Sequence, residues 1–115
     1  MRWANDPTHL EKEAQDAIAD GANDVFLSAV SVWEAVIKVA SGRLSTPAPL
    51  EEAATAARIR ELPVRWDHAR RAAALPALHR DPFDRMLIAQ ALEEGLVLIT
   101  RDSLVEQYAV STMHA

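Results

Sequence analysis

The sequence predicts an α/β domain with a mainly parallel sheet. Helix-like and strand-like segments alternate along the chain, which is typical of folds in which helices pack against parallel strands. The 115 residues are enough for one compact domain with its own core. Half of them are hydrophobic and a quarter are charged, as in ordinary globular proteins. We therefore expect residues 1–115 to form a single domain.

The first part of the chain is predicted to contain two helices on either side of one strand. His9–Asp20 carries apolar residues at helical spacing and is followed by Gly21, a common residue after a helix end. Val25–Val30 is a short apolar run and a strand candidate. A second helix is predicted to begin at Ser31 and to end near Gly42.

The middle of the chain is predicted to contain two more helices and a short strand. After a proline-containing loop, Leu50–Arg60 has a helical pattern. Leu62–Val64 is predicted to be an edge strand, where its proline is tolerated. Asp67 is expected to cap a helix that ends near Leu75 and Pro76.

The last part of the chain has the clearest signals. Asp81 followed by Pro82 predicts a helix start, and this helix should continue to Glu94. It is apolar nearly all round, so we expect it to be deeply buried. Leu96–Thr100 is predicted to be a strand, followed by a short helix from Ser103 and an edge segment near Val110.

Composition excludes several functional classes. The chain has no cysteine, so disulfides, thiolate metal sites and cysteine nucleophiles are excluded. The net charge of −5 argues against a general nucleic-acid coat protein, although Arg58–Arg85 has a local balance of +3. Most such runs are solvated helix surfaces, and the alternative is a phosphate-facing patch. No signal peptide or membrane-spanning run is present, and we expect a cytoplasmic protein.

Three acids are predicted to meet at one edge of the sheet. Glu34 lies in the first turn of the second predicted helix, Asp84 lies in the first turn of the buried helix, and Asp102 follows the last clear strand. Helix N-termini and strand C-termini share one edge of a parallel sheet, where ligand sites form. Clustered carboxylates repel one another, and an oxygen-ligand site of this kind suits Mg²⁺ or Mn²⁺. The predicted chemistry is phosphodiester hydrolysis.

Each acid also has a purely structural interpretation. Ser31 and Glu34 have the spacing of a capping box, and Asp81 is better explained as an N-cap than as a ligand. Asp84 could complement the helix dipole and Asp102 could close a turn. The histidines lack metal-ligand spacing, so His68 and His79 are expected to be solvated. Trp33 and Trp66 are expected to pack in or beside the core rather than to stack on bases.

Other functional classes have weaker support. A serine hydrolase would need a nucleophile elbow, which the sequence lacks. A flavodoxin-like domain that binds a phosphorylated ligand would need a glycine-rich loop, but the chain has only three glycines.

Several segments, in order along the chain, resemble the PIN-domain ribonucleases of the VapC toxin type. They are Ser31–Glu34, Gly42–Leu44, His79–Ala91 and Leu98–Asp102, and the segment around Asp84 is the most specific. The resemblance covers essentially the whole chain. It implies a three-layer α-β-α sandwich and an Mg²⁺ or Mn²⁺ site that cleaves single-stranded RNA. It also implies a toxin role, a homodimer and a cognate VapB-type antitoxin.

The resemblance assigns roles to individual positions. Glu34, Asp84 and Asp102 match the family's acidic cluster, as catalytic residues and metal ligands, and Asp81 belongs to the same motif as a helix-positioning residue. Three arginines near this cluster are candidates either for RNA phosphate binding or for pairing with the acids without metal. They are Arg80, Arg85 and Arg101.

One departure from the family concerns the start of the chain. Members begin with a hydrophobic strand that ends in an aspartate ligand, whereas Met1–Trp3 resembles the stretch just after it. Asp6 lies too far along to replace that ligand. We expect either a start assigned at an internal methionine or a real truncation, and favour the first. The alternative function is an impaired PIN-like remnant that binds antitoxin or RNA without cleaving it.

Overall fold

The computed structural model of the chain describes residues 12–100, 102 and 104–114. Helices and strands alternate along this part of the chain, so the predicted α/β class is confirmed. The elements are α1 (Lys12–Ala19), β1 (Phe26–Ser28), α2 (Ala29–Ala40), α3 (Leu50–Ala56), β2 (Arg60–Leu62), α4 (Trp66–Ala74), α5 (Pro82–Glu94), β3 (Leu98–Thr100), a 3₁₀ turn (Val105–Gln107) and β4 (Thr112–His114).

The described strands form two parallel pairs. β1 pairs with β2 in the register Phe26 to Arg60, and β3 pairs with β4 in the register Leu98 to Thr112. Every described pairing is parallel, as the alternation of helices and strands predicted. The final edge segment, expected near Val110, is β4 and begins two residues later.

Helix α5 forms the centre of the core, as its nearly uniform apolarity predicted. Leu87, Ile88 and Ala91 are buried in one cluster with Leu98 of β3 and Val30 of α2. Asp81 caps its N-terminus, and Gly95 ends it in the left-handed conformation with φ of 64°. A residue with a side chain is disfavoured at that φ, so glycine suits this turn.

The boundary between β1 and α2 differs from the prediction. The strand ends at Ser28, whose hydroxyl accepts a 3.1 Å hydrogen bond from the Val30 amide and caps α2. The helix therefore begins at Ala29, and Ser31 lies inside it. The alternative of a capping box between Ser31 and Glu34 is therefore wrong. The predicted place of Glu34 in the first turn is also wrong, because the earlier helix start puts it in the second turn.

Two boundaries in the middle of the chain also differ. Helix α3 ends at Ala56, because the chain turns at Arg58 with a positive φ of 59° before β2. Strand β2 consequently lies two residues earlier than expected. Arg65, not Asp67, is the N-cap of α4, and its backbone amide donates to the Nδ1 atom of His68 at 3.0 Å.

None of the described helices is both long and apolar enough to cross a membrane. Helix α1 lies within the predicted range His9–Asp20, of which residues 9–11 fall outside the described part of the chain. Ser103, the expected start of the short helix, also falls outside it.

Candidate metal centre

The N-terminus of α5 positions the first acid of the site. The Asp81 carboxylate accepts hydrogen bonds from the amides of Phe83 at 2.9 Å and Asp84 at 3.4 Å. Pro82 follows at a position where the missing N–H is not needed. This cap fixes the first turn, in which the Asp84 side chain is only 5% exposed. A carboxylate buried to this extent is unfavourable unless a positive or hydrogen-bonding group faces it.

Asp102 lies just beyond β3, as predicted, and its two carboxylate oxygens have different partners. Its backbone amide donates to the Thr100 hydroxyl at 3.0 Å, and Oδ1 accepts from the Leu104 amide at 2.9 Å. These bonds close the turn after β3. The other oxygen, Oδ2, lies 2.7 Å from Nε2 of His79, in the loop between α4 and α5. The turn role and the site role of Asp102 therefore coexist.

His79 joins these two acids and was missed by the sequence analysis. Its Nε2 atom lies 2.7 Å from Asp102 Oδ2 and 3.1 Å from Asp84 Oδ2. One donor atom from each of the three residues lies within 4.8 Å of the others. The side chain is only 11% exposed, so the prediction of a solvated loop residue is wrong. The available signal was its position, five residues before Asp84, in the segment that resembles the PIN family.

Glu34 is buried on α2 but does not belong to this group of donor atoms. Its carboxylate lies 3.7 Å from the ammonium of Lys38, one turn along the helix. The adjacent Trp33 contacts Phe83 edge-on, with ring centroids 5.0 Å apart. Glu34 thus lies on the helix that packs beside the first turn of α5. The structure brings Asp84 and Asp102 together and leaves Glu34 outside their cluster.

The two tryptophans differ from each other. Trp33 is 61% exposed but packs against Phe83 at the edge of the core, in agreement with the expectation. Trp66 is 89% exposed, so the expectation is wrong for this residue.

Arg85 has a role that the sequence did not predict. Its guanidinium donates to the carbonyl oxygens of Ala72 at 2.8 Å, Leu75 and Pro76 at 3.0 Å, and His79 at 3.2 Å. The guanidinium therefore anchors the loop between α4 and α5. Because both terminal nitrogens are engaged, neither expected role of Arg85, phosphate binding or pairing with the acids, fits this geometry.

The two other predicted arginines differ from Arg85. Arg80 is exposed directly after His79, and its guanidinium makes no hydrogen bond or ion pair within the described residues. Arg101 falls outside the described part of the chain.

A second cluster, formed by Asp67, His68 and Glu94, has a different character. His68 is fully buried rather than solvated as predicted, and its Nε2 atom contacts Glu94 Oε1 at 2.8 Å. The Arg65 guanidinium lies 2.9 Å from Asp67 and 3.0 Å from Glu94. Its hydrogen bond lowers the pKa of the Asp67 carboxyl, and the same bond raises the pKa of Arg65. The Arg65 guanidinium is already paired with both acids, so no metal ion is needed to account for this cluster.

The chemistry of the first cluster fits a divalent cation. Two carboxylates from distant elements meet there, on either side of the same histidine nitrogen. Aspartate oxygens are the ligands that Mg²⁺ and Mn²⁺ prefer. Asp84, which is buried in the first turn of α5, and Asp102, which is partly buried after β3, are the residues that would hold such an ion. Fold and site together define an α/β domain with an acidic cluster that could hold a divalent cation.

The comparison with known families identifies this class more closely. The chain matches the PIN domain over residues 2–110, so it belongs to that family. PIN domains are generally metal-dependent nucleases, and the predicted PIN-like fold is confirmed. No curated protein and no solved structure matches the chain significantly.

Proposed function

We propose that this chain is an Mg²⁺- or Mn²⁺-dependent endoribonuclease that cleaves single-stranded RNA and acts as the toxin of a VapBC-type toxin–antitoxin pair. One observation carries the nuclease part of this proposal. Asp84 and Asp102 come from separate elements and converge, with His79, into one cluster in a PIN domain. The RNA substrate and the toxin role rest on the resemblance of Ser31–Glu34 and His79–Ala91 to VapC-type members.

The proposed metal ligands are Asp84 and Asp102, with Glu34 as a third acid. A divalent cation held there would supply water activation, phosphate positioning and charge stabilisation for phosphodiester hydrolysis. Asp84 contributes a buried carboxylate in a helix turn that the Asp81 cap stabilises. Asp102 contributes Oδ2, because its Oδ1 is held by the Leu104 amide.

Glu34 has a supporting position in this proposal. It is buried on α2, and its neighbour Trp33 packs on Phe83, the residue before Asp84. An acid there would act on the ligands or on bound water from just outside the cluster. Outer groups of this kind orient metal ligands and influence affinity.

Arg80 is the proposed contact to the RNA backbone. It is exposed and follows His79 directly, so a guanidinium is available at the rim of the cluster. Arginine binds phosphate with two parallel hydrogen bonds. Arg101, which follows β3, is proposed for the same role. The proposed partners are the RNA substrate, a VapB-type antitoxin and a second copy of this chain.

The decisive experiment measures RNA cleavage by the purified chain. We expect a labelled single-stranded RNA to be cut with Mg²⁺ or Mn²⁺ and to stay intact with EDTA. Asp84→Asn should abolish cleavage, because it removes the buried metal ligand while retaining the shape of the side chain. Asp16→Asn, which removes an exposed acid from α1, is the matched control and should cleave normally.

The same variants test the toxin role in cells. Expression of the unmodified chain should arrest bacterial growth, and Asp84→Asn should not. Cleavage that persists unchanged in Asp84→Asn would show that the site is wrong. Metal-dependent cleavage without growth arrest would support the nuclease and contradict the toxin role.

A further inference from the structure

We propose that His79 is a positioning residue that holds Asp84 and Asp102 in place in the cation-free protein, and that it must release them when a divalent cation binds. His79 would thus compete with the cation instead of ligating it. This inference rests on the proposed function only in assuming that the Asp84–Asp102 cluster binds a divalent cation.

The first argument is the position of the imidazole proton. The backbone amide of Asp81 donates to the Nδ1 atom of His79 at 3.2 Å. A ring nitrogen that accepts a hydrogen bond carries no proton, so the neutral ring carries its proton on Nε2. That proton is donated to Oδ2 of Asp102 at 2.7 Å, and Oδ2 of Asp84 lies 3.1 Å from the same nitrogen. His79 is therefore a hydrogen-bond donor to Asp102 and is in direct contact with Asp84.

A metal-binding histidine has the opposite arrangement. The nitrogen that faces the metal is bare, and the other nitrogen donates its proton to a carbonyl, a carboxylate or water. In this protein the other nitrogen, Nδ1, faces a donor, the Asp81 amide. His79 could ligate a cation only after this hydrogen bond broke and the proton moved from Nε2 to Nδ1. The geometry thus favours a donor to the carboxylates over a third ligand.

The second argument is that the backbone of His79 is fixed on both sides. Its amide donates to the Tyr108 hydroxyl at 2.9 Å, and its carbonyl accepts from Arg85 at 3.2 Å. The Tyr108 hydroxyl in turn donates to the Pro76 carbonyl at 2.7 Å. The loop therefore presents the ring to the two acids in one defined place. Release of the acids requires rotation of the side chain, not movement of the loop.

The two arguments together predict competition. A cation held by the two carboxylates would carry positive charge toward the Nε2 proton, which already occupies this site. Like partial charges repel, so the cation must displace the Nε2–H bonds. Hydrogen bonds to charged acceptors are among the stronger ones in proteins. Removing them from the cation-free state should therefore strengthen cation binding roughly tenfold.

The test measures Mn²⁺ binding to the full chain without RNA, by electron paramagnetic resonance of free Mn²⁺. We expect His79→Ala to bind Mn²⁺ roughly tenfold more tightly than the unmodified chain. Addition of Asp84→Asn to this variant should abolish the binding. His114→Ala, at an exposed histidine on β4, is the matched control and should bind with unchanged affinity.

Weaker binding by His79→Ala would show that His79 supports the bound cation instead of competing with it, and unchanged binding would show that no competition exists. Either result overturns the inference. If the unmodified chain binds Mn²⁺ through Asp84 and His79→Ala binds no tighter, the proposed function stands and only this inference fails. If neither protein binds Mn²⁺, both fail.

A second measurement avoids substitution altogether. Nitrogen-15 spectra of the histidine rings should show the Nε2 proton of His79 without metal, and saturating Mg²⁺ should shift its ring signals. His68 is an internal reference, because its Nδ1 also accepts from an amide and its Nε2 faces Glu94 at 2.8 Å. The His68 signals should not shift when Mg²⁺ binds. If the His79 signals do not shift either, the inference is contradicted.

Discussion

The hydroxyl of Ser28 donates a 2.6 Å hydrogen bond to the side-chain oxygen of Gln90, and both residues are buried. Ser28 also caps α2 by accepting from the Val30 amide. Gln90 donates from its amide nitrogen to the carbonyl of Pro63 at 3.2 Å. One serine therefore ends β1, starts α2 and links both to the middle of α5.

Replacement of Ser28 by alanine should destabilise the protein strongly. It removes the helix cap, which is worth about 0.5–2 kcal/mol, and leaves the buried Gln90 oxygen without its donor, at about 1–3 kcal/mol. We expect the free energy of unfolding to fall by about 2–3 kcal/mol in urea denaturation. Ser45→Ala, at an exposed loop serine, should change it by less than about 0.5 kcal/mol. Equal effects of both variants would show that the Ser28 contacts contribute nothing.

We expect Asp81 to contribute to stability and Asp84 to contribute to metal binding. Asp81→Ala removes the cap of α5 and should lower the free energy of unfolding by about 1 kcal/mol. Asp81→Asn should have nearly unchanged stability, because asparagine caps helices as well as aspartate does. Both Asp81 variants should still bind Mn²⁺ in a titration, whereas Asp84→Asn should not. Loss of Mn²⁺ binding in Asp81→Asn would make Asp81 a ligand.

Arg80 and Arg85 should respond in opposite ways. Arg85→Ala removes the anchor of the loop before α5, so stability should fall by at least about 2 kcal/mol. Arg80→Ala should leave stability unchanged and weaken RNA binding. RNA binding is measured at several salt concentrations in the Asp84→Asn background, which prevents cleavage. The slope of log affinity against log salt concentration should become shallower by about 0.7, because one phosphate contact is lost. An unchanged slope in Arg80→Ala would show that Arg80 does not contact the RNA backbone.

Glu34→Gln should produce an intermediate defect in metal binding. Groups just outside a metal's ligands typically contribute about 10–100-fold to affinity or activity. We expect Mn²⁺ affinity to fall about tenfold, less than in Asp84→Asn, because Glu34 lies outside the donor cluster. Glu51→Gln, at an exposed acid on α3, is the control. Complete loss of Mn²⁺ binding in Glu34→Gln would show that Glu34 is a direct ligand.

Asp67 should contribute to stability in a pH-dependent way. The Arg65 guanidinium lowers the pKa of its carboxyl, so folding favours the ionised form. The contribution is therefore present above the ordinary aspartate pKa of about 3.9 and disappears as the pH falls through the lowered pKa of the folded protein. Asp67→Asn should lower the urea midpoint slightly at pH 7 and match the unmodified chain at strongly acidic pH. A difference in urea midpoint between the two proteins that stays constant with pH would show that ionisation of Asp67 is not its cause.

The sequence predicted those features that depend on local signals. The Asp81–Pro82 start, the apolar body of α5 and Gly95 agree with one another, so this helix and its burial were correct. The convergence of Asp84 and Asp102 followed from parallel topology alone. Where two signals competed, the boundary was wrong. The hydroxyl of Ser28 caps α2 three residues before Ser31, although Ala29 and Val30 continue the apolar pattern of the strand.

The errors at the site have a different cause. A histidine in a polar loop looks solvated in the sequence, and only tertiary contacts bury His79 beside two acids. Tyr108, which holds its amide, is 29 residues away along the chain. Arg85 looked like a phosphate ligand because arginine is common in that role, but its partners are backbone carbonyls. Carbonyl positions depend on the path of the loop, which side-chain patterns do not describe.

The edge-on contact between Trp33 and Phe83 gives this protein an optical reporter of its own site. Phe83 precedes Asp84 in the first turn of α5, so a cation held by Asp84 would bring a new charge close to an indole that is already partly in water. The chain has three tryptophans, and replacing Trp3 and Trp66 by phenylalanine leaves Trp33 as the single emitter. The rate at which cations enter and leave the site then becomes visible in stopped-flow fluorescence, without a dye.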